Sequence, residues 1–275
     1  MFKTLTVERN QATLEYDATR FRTLATDLVK GLTGYISDMS RYMSDVFSGF
    51  SSDRVGFTQN QRLQSDVKKS SYISLAEVAI PVPVGLNVPM LEYLAALEIN
   101  QSIIDDLIPT VFKPALNFFS LLVASPEQLN GVTASTKAAV RDFEKEYQQA
   151  KASIAKCFIT NDRTEYMRYG DVYARHADYC TAQAQFEGLT ARLSKVPASD
   201  VRKSVEDICN VLDRLAIRLR QDPDTYAVSG VNAKFISDIA FSLAVAAEYY
   251  AGHFYLMQTL NSTIVETDKK LKTIV

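Results

Sequence analysis

Tryptophan is absent from this chain of 275 residues, and histidine (2), cysteine (3), proline (8) and glycine (10) are scarce. Each shortage excludes something. With few helix breakers, the chain can run in long helices. Cys157, Cys180 and Cys209 are odd in number, far apart and never part of a CxxC pair. That excludes a disulfide framework and a cysteine-rich zinc site, and it predicts a reducing compartment. A di-metal helical bundle needs Glu-x-x-His pairs. Here Asp171 lies five residues before His176 and Glu248 five before His253, so neither spacing fits. No GxxxxGK or GxGxxG phosphate loop is present. A formal net charge of −2 is not the basic surface of a general nucleic-acid binder. No uninterrupted apolar run reaches the roughly 18 residues of an ordinary transmembrane helix. The opening MFKTLTVERNQATLEYD is charged and lacks an apolar signal core, so cytoplasmic synthesis is expected.

What is present is a globular composition, 47% hydrophobic and 23% charged, with apolar stripes at helical spacing. From Val7 toward Phe50 the stripe reads Leu14, Ala18, Phe21, Ala25, Leu28, Leu32, Ile36, Met39, Met43, Val46 and Phe50. Its steps of mostly three and four predict one long helix packed along others at a shallow angle. Residues 54–76 are polar and read as a weak helix or an ordered loop. The segment Val78–Leu91 (VAIPVPVGLNVPML) holds three prolines and no charge. It is predicted to be extended, because proline cannot sit inside a helix.

A second helix is predicted from Pro89 to Ala124, apolar around much of its circumference and kinked or split at Pro109 and Pro114. Ser125-Pro126-Glu127 then reads as a helix start, with the helix running to Phe158 and an interruption near Asn130-Gly131. A helix beginning at Asn161 or Asp162 is expected to carry Tyr166, Tyr169, Tyr173, Tyr179 and Phe186 and to end near Pro197. Ser199 caps the next helix, striped by Val201, Val205, Ile208, Leu212, Leu215 and Leu219 and ending at Gln221-Asp222-Pro223. The last is predicted from Asn232, striped by Phe235, Ile239, Leu243, Ala247, Tyr250, Phe254, Met257, Leu260 and Ile264. Its tail, Glu266 to Lys272, reads as charged and solvated. The expected fold is all-α: an elongated bundle of about five or six helices with a proline-rich extended insertion at 78–91. It is expected to be one domain over 1–275, with a subdivision near 125 as the alternative.

Little chemistry is spelled out. Cys180 follows His176 by four, on one helical face, as a nucleophile and its base would. No signature surrounds the pair, so a packed thiol and a half-buried imidazole are expected. Asp105-Asp106 lies on a largely apolar helix, where the helix is expected to surface. Arg214, Arg218 and Arg220 read as a solvated face. No enzyme, metal or cofactor is expected. The candidate interaction residues are the apolar side chains of the extended segment: Ile80, Val82, Val84, Leu86, Val88 and Met90. They are expected to pair with or wrap a protein partner, a second copy or another assembly subunit.

The absence of Trp, the many Ser, Asp and Thr at helix ends, and runs such as ISDMSRYMSDVF and FFSLLVASPEQL resemble the helical virion structural proteins of large tailed bacteriophages. The resemblance implies a non-enzymatic structural role in a virion. A second resemblance covers only the 78–124 region. An uncharged segment leading into an apolar helix is similar to the layout of α-helical pore-forming toxins, which implies a membrane-active protein. Against it, Asp105, Asp106 and Lys113 interrupt the apolar run, and charge in hydrocarbon is costly. A third reading is an intracellular adaptor or regulator.

Overall fold

The computed structural model describes residues 18–48, 75–86, 88–125, 129–155, 164–222 and 233–273. The fold is all-α. Its helices are α1 (Ala18–Ser48), α2 (Met90–Leu107), α3 (Lys113–Ala124), α4 (Asn130–Ala155), α5 (Tyr169–Val172), α6 (His176–Leu193), α7 (Ala198–Gln221) and α8 (Ala233–Lys272). Two short strands, β1 (Ala79–Pro83) and β2 (Thr164–Arg168), form an antiparallel ribbon. The residues predicted at 54–74 and the helix starts at 126–128 and 161–162 lie outside the described residues.

The chain divides into two compact units, and neither is contiguous. The first draws on Met1–Phe50, Leu107–Phe143 and Val201–Glu248. The second draws on Ser51–Asp106, Glu144–Asp200 and Tyr249–Val275.

The first unit is the drier of the two. The predicted stripe of α7 is buried throughout, from Val201 to Leu219. Ile36, Met39 and Met43 of α1 and Ile239 and Leu243 of α8 are buried as well. Phe118 sits at the centre of the unit's aromatic packing, with ring centroids 5.3 Å from Phe119 and 5.4 Å from Phe235, both edge to face. Such contacts add to the area term that dominates a core.

Pro109 and Pro114 do not break the helix that carries them. Both lack the N–H that residues Asp105 and Thr110 would otherwise receive at their carbonyls. One π turn, Ile108–Phe112, takes up the misfit: the N–H of Lys113 reaches back five residues to the Ile108 carbonyl. The backbone stays right-handed helical on both sides of that turn. Met90–Ala124 therefore runs as one helical stretch that is long and apolar enough to cross a membrane by length and composition. Asp105, Asp106 and Lys113 still interrupt its apolar run.

The second unit is wetter inside. Asn100, Gln101, His176, Gln183, His253, Asn261, Thr267 and Asp268 are all buried there. It also holds the largest correction to the predicted helices. Thr164–Arg168 is a strand and not the first turn of a helix, so Tyr166 is placed on a ribbon. The helical segment then restarts twice, at Tyr169 and at His176. The reason is tertiary, because β1 requires a partner for its buried backbone. The T-E-Y-M-R run has enough β propensity to supply one.

Candidate functional site

Segment Val78–Leu91 contains the strand β1 and the first turn of α2. Between them, Leu86 N–H donates to the Pro83 carbonyl at 3.2 Å. Gly85 takes the positive φ of 82° that this turn needs. Ile80, Val82, Leu86 and Met90 are buried in the chain's own core, while Val84 and Val88 are half-buried. The six candidate residues are thus not brought together as an exposed apolar strip. Pro81 and Pro83, on the opposite face of the strand, are buried too. A strand covered on both faces cannot wrap a neighbour without first leaving its own core.

The ribbon has two unlike edges. The partners run Ala79 with Arg168, Ile80 with Met167, Pro81 with Tyr166, Val82 with Glu165 and Pro83 with Thr164. Tyr169 N–H donates to the Val78 carbonyl at 2.8 Å. Antiparallel ladders alternate, so Ile80 and Val82 bond inward to β2. Ala79, Pro81 and Pro83 then turn their backbone groups outward. Two of those three have no N–H to offer, and Lys270 Nζ occupies the outward Ala79 carbonyl at 3.0 Å. This edge is closed in the ways strand edges usually are, by proline and lysine.

Among the described residues the other edge is open. Thr164, Tyr166 and Arg168 of β2 direct their backbone groups away from β1, and among the described residues no third strand receives them. The strand is exposed along its length except at Met167, which is half-buried. Its central side chain is held firmly. Tyr166 donates its hydroxyl to Glu266 at 2.8 Å, and Lys270 sits over its ring, 4.3 Å from the centroid. The Tyr166 hydroxyl is pushed to a higher pKa by that bond to Glu266. Glu165 reaches across to accept from Gly85 N–H at 3.0 Å, fixing the turn. The ribbon is therefore preorganised, with one sealed edge, one open edge and an exposed tyrosine at its centre.

Inside the second unit, two polar networks lie among apolar side chains. In the first, Arg192 donates to Asp105 Oδ2 through Nε at 2.8 Å and Nη2 at 2.6 Å. Gln101 donates to Asp105 Oδ1 at 2.7 Å and holds His253 Nε2 at 2.9 Å from its own Oε1. Burial lowers the His253 pKa to about 4, against an opposing pull from Asp105 and with a push from Arg192. The imidazole is neutral, and because Gln101 Oε1 can only accept, Nε2 donates. Asp105 is therefore half of a half-buried ion pair, while its neighbour Asp106 is exposed. The expectation that the helix surfaces there holds for Asp106 and is too simple for Asp105.

The second network surrounds Asp268. Tyr169, Tyr173 and Tyr179 pack against one another with centroids 5.1 to 5.8 Å apart. Tyr169 shares a 2.8 Å hydrogen bond with His176 Nδ1. Tyr179 donates to Asp268, and Gln183 Nε2 donates to the same oxygen at 2.8 Å. Asp268 is 3% exposed, which corrects the reading of 266–272 as a solvated tail. Thr267 and Leu271 are buried with it. The signal was available in the sequence: Leu271 follows Ile264 by seven and continues the stripe of α8, but the charges around it concealed the pattern.

His176 is buried at 6% exposure, deeper than the half-buried site expected, and its Nδ1 faces a tyrosine. Burial pushes the Cys180 thiol up, with Asp268 adding to the shift; an activated nucleophile is pushed down. In the first unit, Cys209 is buried and donates to the Ser40 carbonyl at 3.4 Å. Burial pushes its thiol up to about 11. It lies beside a groove of about 760 Å³ between α1 and α7, lined by Ser37, Arg41, Ser44, Arg202, Glu206 and Asp213 among others. Within it Arg202 pairs with Glu206 at 2.9 Å. Arg214, Arg218 and Arg220 are exposed as expected. Among the described residues no cluster of His, Cys, Asp and Glu could hold a metal ion. No family model, curated protein or solved structure matches the chain.

Proposed function

We propose that this chain is a non-enzymatic structural protein that assembles with a second copy of itself through the open edge of β2. One observation carries the reading: the ribbon closes one edge with Pro81, Pro83 and Lys270 and, among the described residues, leaves the other open. Unprotected edges are usually avoided in soluble proteins, so an edge left open beside one so thoroughly closed reads as a docking element. The occupant follows from the register. Only Thr164, Tyr166 and Arg168 face outward, so a two-fold antiparallel pair centres on Tyr166 opposite its own copy, with Thr164 opposite Arg168. That register places aromatic beside aromatic and keeps Glu165 away from its copy. The setting implied by the resemblance to helical virion proteins suits such an assembly.

The test uses light scattering coupled to size exclusion over a wide concentration range, on the full chain and two variants. Arg168 has φ −68°, the angle proline imposes. Arg168→Pro therefore removes one outward donor while leaving the inner ladder intact. Arg168→Ala controls for loss of the exposed ion pair with Glu77. A discrete oligomer that survives Arg168→Ala and dissociates in Arg168→Pro supports the reading. A monomer at every concentration overturns self-assembly.

A second reading has its own observation. The stretch Met90–Ala124 is long and apolar enough to span a bilayer, and only 39% of its most apolar window is buried. Release of this helix would make the protein membrane-active. Co-sedimentation with vesicles of zwitterionic and anionic lipid tests it; no binding to either composition removes this reading.

A further inference from the structure

The last turns of α8 combine a buried carboxyl that neither reading above uses with the Lys270 contact that closes the outer edge of β1. The carboxyl has an unusual pattern of partners. Asp268 Oδ1 receives both the Tyr179 hydroxyl and the Gln183 amide. Asp268 Oδ2 is buried with no hydrogen-bond partner among the described residues, and so is Gln183 Oε1. These are two orphaned acceptors on two groups already joined by one hydrogen bond. Buried acceptors are rarely left so, because each forfeits its water without replacement. A single proton resolves both. A carboxylic acid and a primary amide are complementary: the amide N–H donates to the acid carbonyl, and the acid O–H donates to the amide carbonyl.

The second feature is what the same turn holds. Glu266 accepts the Tyr166 hydroxyl, and Lys270 both covers the Tyr166 ring and occupies the Ala79 carbonyl. These grips flank Asp268 by two residues on either side. The turn that buries the acid is the turn that fastens α8 to the ribbon and closes the outer edge of β1.

We propose that Asp268 is held in the core as a neutral acid donating Oδ2–H to Gln183 Oε1, and that its ionisation unlatches the last turns of α8 from the β-ribbon. Burial raises the carboxyl's proton affinity, and Glu187 adds to it. The donors Tyr179 and Gln183 and the cation of Lys272 oppose it. Tyr173, just past α5, and Tyr179 and Cys180 of α6 are pushed up by burial, and further by Asp268 once it ionises. The sign is fixed by linkage. A raised carboxyl stabilises the closed latch fully at pH values below its unfolded value, and that stabilisation is lost as pH rises through the folded one. The latch therefore opens on the alkaline side. Opening frees the Ala79 carbonyl and Tyr166 together.

The test uses the full chain. Asp268→Asn keeps the Oδ1 acceptor, supplies an N–H to Gln183 Oε1 and cannot ionise. Amide exchange over 264–272 is compared between the parent and Asp268→Asn at matched pH values. The parent is expected to lose protection relative to the variant by about tenfold as pH rises through the titration, while the variant's protection stays level. Infrared spectra of the parent supply an independent readout. At a pH just above the usual carboxylate range, a protonated carboxyl band is expected, and Gln183→Leu is expected to shift it. Absence of that band overturns the proposal even if Asp268→Asn does not fold. Parallel exchange profiles in parent and variant at all pH values also overturn it.

Discussion

Removing Arg192 is the most informative single perturbation of the second unit, because two independent observables respond to it. Arg192→Met keeps the aliphatic stem and deletes the guanidinium that makes two hydrogen bonds to Asp105 Oδ2, at 2.6 and 2.8 Å. A hydrogen bond to a charged group contributes about 1.5–3 kcal/mol, and breaking a fully buried ion pair costs about 3–5 kcal/mol. An exposed pair contributes under about 1 kcal/mol. Here the two side chains are 32% and 30% exposed, so water partly restores Asp105 once its partner is gone. The expected loss is about 2 kcal/mol, read from urea denaturation with an unchanged slope. In a double-mutant cycle with Asp105→Asn, a coupling of about 1 kcal/mol is expected. The second observable is the ring of His253, titrated by NMR. Its pKa of about 4 is lowered by Arg192 and raised by Asp105. Arg192→Met should therefore move it up, and Asp105→Asn should move it down. A loss under about 0.5 kcal/mol, or a His253 shift of the same sign in both variants, would refute the network.

Three further outcomes follow from individual contacts. His253 titrates at about 4 in the fold against an ordinary value of 6.5, so the unfolded chain takes up a proton first as pH falls. Stability should decline between those values by about 3 kcal/mol, and His253→Gln should flatten that limb of the pH–stability curve. Gly170 leaves no room for a side chain, since a Cβ there would lie 3.0 Å from Ala76 Cβ and 3.3 Å from the Ala76 carbonyl oxygen. Gly170→Ala should cost about 1–3 kcal/mol through overpacking, seen as a lowered denaturation midpoint; an unchanged midpoint would mean that α5 is free to shift. Cys209 is buried with its thiol pushed up to about 11. In a Cys157→Ser, Cys180→Ser background it should react with a disulfide reagent at neutral pH at least a hundredfold more slowly folded than in urea; equal rates would place it at the surface.

The helices were legible because a stripe repeating every three or four residues has few ways to be buried. Val201 to Leu219 in α7 was readable for that reason, and so was most of α8 from Ile239 to Ile264. The scarcity of glycine and proline left that pattern few interruptions. Long-range pairing decided what local pattern could not. Tyr166 sits on a strand because β1 lies beside it, not because of its neighbours in sequence. The outward edge of Pro81 and Pro83 has meaning only once the ladder's register is known. Ile80 and Val82 read as an uncovered apolar strip, and the fold instead seals them in the core. Asp268 was the most misleading residue: among Glu266, Lys269, Lys270 and Lys272 it looked like one more solvated charge. Only packing against the tyrosines of α5 and α6 makes it a buried acid, because burial depends on which surfaces meet, and a helix's own sequence does not record what lies across from it.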